Sequence, residues 1–301
     1  MNSDKYEMTP AAMLQALANE VSTLFTLPDL VIRALKVMDS PSASADDLIE
    51  VIELDAGLAA TILKLANSAL YGHLGRVKSL EHAVALIGHK SLRDLVLATS
   101  AVQSFHDIPV EFVDMETFWD NSITCAVLAR LIARHAKLKD VETLFLGGLL
   151  HGVGRLVFYA RRPVEYREVI SKAETMNMAI TDAERAVFGF DFSDVGAALL
   201  HAWQLPPRLV VAVRDQTADS TPPEYEKDVA VIQLASCMAM RLAPCLKTQI
   251  PVETYCPDAQ AISNMQKLGI SPAALAEIDL EALAASMEVI EIIHPGSSTI
   301  F

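Results

Sequence analysis

The chain predicts an all-α fold, and three observations carry that prediction. Apolar residues recur at three- and four-residue spacing along nearly all of its 301 residues, the period of a helix with one buried face. Alanine and leucine are abundant, and no alternating stretch rich in valine or isoleucine reads as a strand. Proline and glycine fall mostly between the periodic stretches, where they punctuate rather than interrupt.

The elements follow in order. Leu27-Pro28 opens a helix to about Asp39, and Pro41-Ser42 breaks the chain. Ser44 caps the next helix, with Asp46 and Asp47 in its first turn, where carboxylates suit the positive end of the helix dipole. Asp55 caps a third, with Leu58, Ile62, Leu65 and Ala66 on one face. Ser79 starts a fourth, which Gly88 ends. Ser91 starts a fifth, reaching about Phe105. Asp107-Ile108-Pro109 reads as a junction between lobes. Helices then follow at about 115–136, 141–160, 163–176, 181–187 and 193–202, with another after Pro206-Pro207. The stretch 217–224 reads as an exposed loop, followed by a helix over 226–243. Beyond Pro244 the pattern is less regular until Ser271-Pro272, a cap with proline in the first helical turn, opens a helix to about Met287. The expected organisation is an N-terminal lobe at 14–108, a second lobe at 109–243 and a C-terminal helical extension at 244–301.

Hydrophobic residues make up 52% of the chain, enough for a large core, so disorder is expected only at the ends. No basic-then-apolar leader is evident, and no apolar run is read as reaching the ~18–20 residues of a membrane helix; a soluble, cytoplasmic protein without membrane contact is expected. The net charge of −14 argues against nucleic acid as the main partner, because phosphate repels an acidic surface. Cys125, Cys237, Cys245 and Cys256 form no C-x-x-C pair and read as reduced thiols. The chain has no P-loop, dinucleotide-binding fingerprint or nucleophile elbow, nor the strand–helix alternation of a receiver domain.

Several stretches stand out: Leu54-Asp55-Ala56-Gly57-Leu58, Asn67-Ser68-Ala69-Leu70-Tyr71-Gly72, Phe118-Trp119-Asp120-Asn121-Ser122, Gly147-Gly148-Leu149-Leu150-His151-Gly152-Val153-Gly154-Arg155-Leu156, and Trp203-Gln204-Leu205-Pro206. In order and spacing, over roughly residues 20–240, this series resembles the HDOD family, the HD-related output domains of bacterial signalling proteins. The resemblance implies two packed helical lobes, the second built like the core of the HD metal-dependent phosphohydrolases. It also implies a non-catalytic signalling or regulatory role.

A working HD site needs a histidine, an adjacent His-Asp pair and a later aspartate, because imidazole nitrogen and carboxylate oxygen together hold the metal. By the resemblance these positions fall at Asn121, His151-Gly152 and Ser236, so only His151 remains. The positions of a second metal fall at Phe192, Asp215 and Gln216. Asn121 and Ser236 are poor ligands for a divalent transition metal, Gly152 offers no side chain, and Phe192 is apolar. Without the ion there is no Lewis acid and no activated water, so no metal and no cofactor are expected. His151 then reads as a hydrogen-bonded core histidine, with a surviving ligand of a weak or different metal as the alternative. Arg155 stands where HD enzymes often carry lysine. It reads as an ion pair or solvated head, with a retained anion pocket as the sharper alternative.

Asn67, Ser68, Tyr71 and Gly72 close a helix and start a loop; they either satisfy local backbone groups or form a contact surface, for instance against the second lobe. Arg161 and Arg162, with Arg155 and Arg167, form the densest basic cluster, a solvated face or a site for an acidic partner or phosphate. The scattered His73, His82, His89 and His106 suggest no metal site, and Trp119 and Trp203 read as core indoles. Taken together the sequence points to a non-catalytic HDOD protein acting through a protein partner, with homo-oligomerisation left open. A phosphohydrolase with a rearranged site, and a nucleotide sensor without turnover, are the competing readings.

Overall fold

A computed structural model of the chain describes residues 9–24, 27–39, 44–72, 75–105, 112–248 and 257–295. The break at Pro41-Ser42, His73, His106, the junction at Asp107-Ile108-Pro109 and Cys256 lie outside these residues. All regular structure among the described residues is helical.

The first lobe is built from α2 (Asp29–Asp39), α3 (Ala45–Glu53), α4 (Ala56–Asn67), a 3₁₀ turn at Ala69–Tyr71, α5 (Leu80–Ile87) and α6 (His89–Gln103). Ser44 and Asp47 form a capping box at α3, and Asp55 and Ser79 accept the Leu58 and His82 N–H groups at α4 and α5. Leu58, Ile62, Leu65 and Ala66 are buried together, as the spacing predicts. Gly88 ends α5 and at once caps α6, so α6 begins at His89, two residues before the expected Ser91.

The second lobe follows as α7 (Met115–His135), α8 (Val141–Leu150), α9 (Val153–Arg161), α10 (Pro163–Met176), α11 (Ile180–Phe188), α12 (Phe192–Ala202), α13 (Pro207–Arg214) and α14 (Glu226–Thr248), with a 3₁₀ turn at Asp215–Thr217. The α7 helix is its axis, buried along most of its length and packed on α8 and α14. The single helix expected over 141–160 is two helices, because the chain turns at His151-Gly152. The helix expected to stop at 243 runs through Pro244 to Thr248. Near the proline, the Arg241 carbonyl accepts the Cys245 thiol at 3.4 Å.

Two further helices, α1 and α15, and a longer α16 extend the sequence reading. α1 (Pro10–Leu24), at the start of the expected first lobe, packs instead on α12 of the second, and Arg162 pairs with its Glu20. α15 (Ala259–Leu268) packs on α14, and α16 (Pro272–Ile293) outruns its expected end at Met287 to lie along α7, α4 and α14. Two stretches, Val141–Arg161 and Pro223–Leu246, do reach the length and apolarity of a membrane span, contrary to the sequence reading. Their apolar windows are 89% and 56% buried inside the protein, so core packing accounts for most of that hydrophobicity. Trp119 and Trp203 are core residues around Phe105, with ring centroids 6.0 Å from it. Cys125, Cys237 and Cys245 are free thiols, and burial pushes the Cys125 thiol up.

Candidate functional site

The turn between α8 and α9 is fixed by close packing on both sides. A Cβ on Gly148 would lie 2.7 Å from the Cys125 carbonyl oxygen of α7. A Cβ on Gly154 would lie 1.9 Å from the Phe192 carbonyl oxygen of α12. Only glycine permits either approach, so α8 and α9 pack closely on α7 and α12 on either side of the His151-Gly152 turn.

His151 is 3% exposed, and its Nδ1 lies 2.6 Å from the Gly148 carbonyl oxygen. The carbonyl can only accept, so Nδ1 carries the proton of the neutral ring and Nε2 is its acceptor nitrogen. Burial is the main cause that pushes the imidazole pKa down to about 4; the Gly148 bond opposes it and the Arg155 charge adds to it. The ring is therefore neutral at pH 7. The Gln216 side chain donates to the His151 carbonyl at 2.8 Å and to the Val213 carbonyl at 2.8 Å. Gln233 of α14 in turn donates to the Gln216 carbonyl at 3.2 Å, and Asn264 of α15 donates to Gln233 at 3.1 Å. A chain of amides thus braces the turn from α13 to α15.

The other positions carry side chains of mixed character. A Cβ on Gly152 would lie 3.4 Å from Cε2 of Phe118, an ordinary contact with an aromatic ring. Asn121 sits on α7, one turn after Phe118, and Ser236 on α14, one turn after Gln233; both are half-buried. Phe192 is buried at the start of α12, and the Arg155 guanidinium covers its ring at 3.8 Å. Arg155 is therefore half-buried on an aromatic face rather than a solvated head. Asp215 is held by Arg214 at 2.6 Å and by the Thr221 hydroxyl at 2.7 Å; these outweigh its burial and keep the carboxyl below its usual range. No group of three or more His, Cys, Asp or Glu side chains with metal-holding geometry occurs among the described residues.

The basic residues nearby do not act as one patch. Arg162 makes two bonds to Glu20 at 3.0 and 3.1 Å, and Arg167 lies over Phe112 at 5.5 Å. Arg161 is half-buried, with its Nε out of contact with solvent and without a partner. Behind Arg155, the buried Glu184 accepts the Tyr166 hydroxyl at 2.7 Å and the Phe192 N–H at 2.9 Å. Burial raises its carboxyl pKa, partly offset by these donors and by Arg155.

Asn67, Ser68, Tyr71 and Gly72 divide their work. Asn67 pins the following loop through Val77, donating to its carbonyl at 2.8 Å and accepting its N–H at 2.9 Å. The Ser68 hydroxyl donates to the Leu65 carbonyl at 2.7 Å, and Gly72 turns the chain at φ 68°. Tyr71 faces the second lobe: its hydroxyl donates to Glu142 of α8, whose other oxygen accepts Arg130 Nε at 2.8 Å. Arg130 also donates to the Leu70 carbonyl at 2.7 Å and lies 4.1 Å over the Tyr71 ring. All three side chains are buried. A second tie runs from Asp94 of α6 to the Thr143 hydroxyl at 2.7 Å. The first turn of α8 thus receives the first lobe, while its last turn leads into His151.

The model of the HDOD domain matches residues 24–218, about two thirds of the chain. The chain belongs to the HDOD family. Among solved structures, this HDOD chain is similar to an HDOD domain protein of unknown function from Geobacter sulfurreducens, with 24% identity and TM-score 0.69 over 94% of this chain and 99% of that one. It is also similar to a candidate phosphohydrolase from Shewanella amazonensis SB2B, with 25% identity and TM-score 0.72 over 92% and 98%. A relative from Treponema pallidum (strain Nichols), an uncharacterised protein, is 22% identical over 226 residues. Those residues are 73% of this chain and 43% of the relative, so the chain spans under half of that protein's length. The HDOD fold and its HD-like core are thereby established.

Proposed function

We propose that this HDOD protein is a non-catalytic cytoplasmic signalling or regulatory module that acts by binding a partner protein. The observation that carries this reading is the state of the turn at His151-Gly152. The remaining imidazole is buried and neutral, and Gly152 beside it offers no side chain to an ion. Asn121 and Ser236 supply no anionic or imidazole ligand, so three of the four positions expected for the first metal, these two and Gly152, offer a divalent cation nothing to compensate its charge. The close packing at Gly148 and Gly154 and the amide chain through Gln216 supply contacts of the chain's own that support this turn. The similarity to a candidate phosphohydrolase concerns the scaffold these groups stand on. A nucleotide sensor without turnover is the weaker reading, because Arg155 is engaged on Phe192.

Phosphatase and phosphodiesterase assays with added manganese, iron or zinc test the proposal. The expected rates stay at background. Metal-dependent turnover abolished by His151→Ala would overturn it. The combined variant Asn121→His, Gly152→Asp, Ser236→Asp restores the ligand types and is expected to gain metal binding.

A further inference from the structure

The last helix, α16, carries five carboxylates and neither lysine nor arginine. Three of them are used within the molecule: Asp279 holds Arg241, Glu281 holds Arg134, and Glu288 accepts the Ala69 N–H at 2.7 Å. Glu277 and Glu291 pair with no cation among the described residues. Between them lie Leu280, Ala284 and Met287, all exposed, Leu280 at 74% and Met287 at 55%. Positions 277, 280, 284, 287 and 291 follow the three-four spacing of one line along a helix, the seam by which one helix receives another. Beside Glu291 a groove of about 530 Å³ opens between α16 and α4, lined by Leu63, Lys64, Glu288, Glu291 and Ile292.

We propose that this face of α16 is a docking seam for an amphipathic helix of a partner protein, with an apolar stripe bounded by a basic residue at each end. A single exposed leucine is ordinary, but an apolar seam closed at both ends by acids that pair with no cation among the described residues specifies its complement. The two acids are fourteen positions apart, about 21 Å along the helix at ~1.5 Å per residue. A second copy of this chain fits poorly. Antiparallel pairing about Ala284 sets Glu277 against the partner copy's Glu291 at both ends, and parallel pairing sets each glutamate against itself. A chain of net charge −14 adds repulsion to either arrangement. Three apolar side chains make a small contact, so binding is transient and salt-sensitive.

This proposal rests on the reading of the chain as a contact module, and the two fail separately. Metal-dependent turnover sinks that reading, whatever α16 does. The test here uses the full chain and a designed helical peptide of about 21 residues. Its leucines follow the heptad, with lysines fourteen positions apart at the ends of the stripe; a control peptide carries glutamates in their place. Calorimetry or fluorescence anisotropy reads binding, and circular dichroism confirms folding of each variant. The lysine peptide is expected to bind and the glutamate peptide not to. Leu280→Asp is expected to weaken binding about tenfold or more, and raising salt from about 0.05 to about 0.5 M to weaken it severalfold. The double variant Glu277→Lys, Glu291→Lys is expected to reverse the preference between the peptides. Absent or equal binding of the two peptides, or binding unmoved by Leu280→Asp, overturns the proposal. A wild-type dimer that becomes monomeric in Leu280→Asp also overturns it and assigns the seam to a second copy.

Discussion

Removing one oxygen from Tyr71 tests how the two lobes are joined. Tyr71→Phe keeps the ring beneath Arg130 and deletes only the hydroxyl that donates to Glu142. The buried carboxylate then keeps Arg130 but loses its second donor. A lost hydrogen bond to a buried charged group costs about 1.5–3 kcal/mol. Glu142→Gln is more severe, because the buried Arg130 keeps the Leu70 carbonyl but faces a neutral amide in place of its counter-charge. Breaking a buried pair from one side costs about 3–5 kcal/mol. The double variant should cost less than the sum by roughly 0.5–3 kcal/mol, since the tyrosine hydroxyl has no carboxylate left to lose. Urea unfolding followed by circular dichroism gives all three values. A Tyr71→Phe protein within about 0.5 kcal/mol of wild type, or strict additivity in the cycle, would refute the clamp.

Three further outcomes follow from the turn at His151. Gly148→Ala and Gly154→Ala should each destabilise by about 1–3 kcal/mol or more, because their Cβ atoms meet backbone, whereas Gly152→Ala meets only the Phe118 ring and should be far milder; thermal melts rank the three, and equal losses would contradict the packing. His151 takes up a proton near pH 4 in the folded protein and near 6.5 when unfolded. Its contribution is therefore complete above about pH 6.5 and lost as pH falls towards 4, by up to about 3 kcal/mol. NMR titration of the ring reads this directly, and a midpoint near 6.5 would contradict its burial. Gln216→Ala removes the donor to the His151 carbonyl and should cost about 1 kcal/mol, with faster amide exchange at the turn; unchanged exchange there would show that the amide chain does not brace it.

Much of the fold was legible where local chemistry decides it. Ser44, Asp55, Ser79 and Ser271 cap the helices that their sequence positions imply. The misses are places where tertiary packing overrides local signals. The turn at His151-Gly152 lies within an uninterrupted apolar pattern, and only contacts to α7 and α12 reveal it. Pro244 reads as a stop, yet the helix continues through it. α15, by contrast, carries local signals, an Asp258 cap, buried Ala261, Asn264, Met265 and Leu268 at helical spacing and a Gly269 stop, that lay unread in the irregular stretch after Pro244. Of the site, His151 and Gly152 drew attention through the family resemblance. Phe118 did not, because it plays no part in the ligand pattern. Glu142 resembled a routine acid in a first helical turn. Arg130 did leave a signal, as a lone cation in the apolar run 125–133, a position that requires a buried partner.

The metal content of the purified protein bears most directly on the central claim. Elemental analysis after expression in medium supplemented with iron, manganese and zinc should find each well below one equivalent per chain, unchanged by His151→Ala. One equivalent of a transition metal, lost in the His151→Ala protein, would contradict the account and return this turn to the HD enzymes.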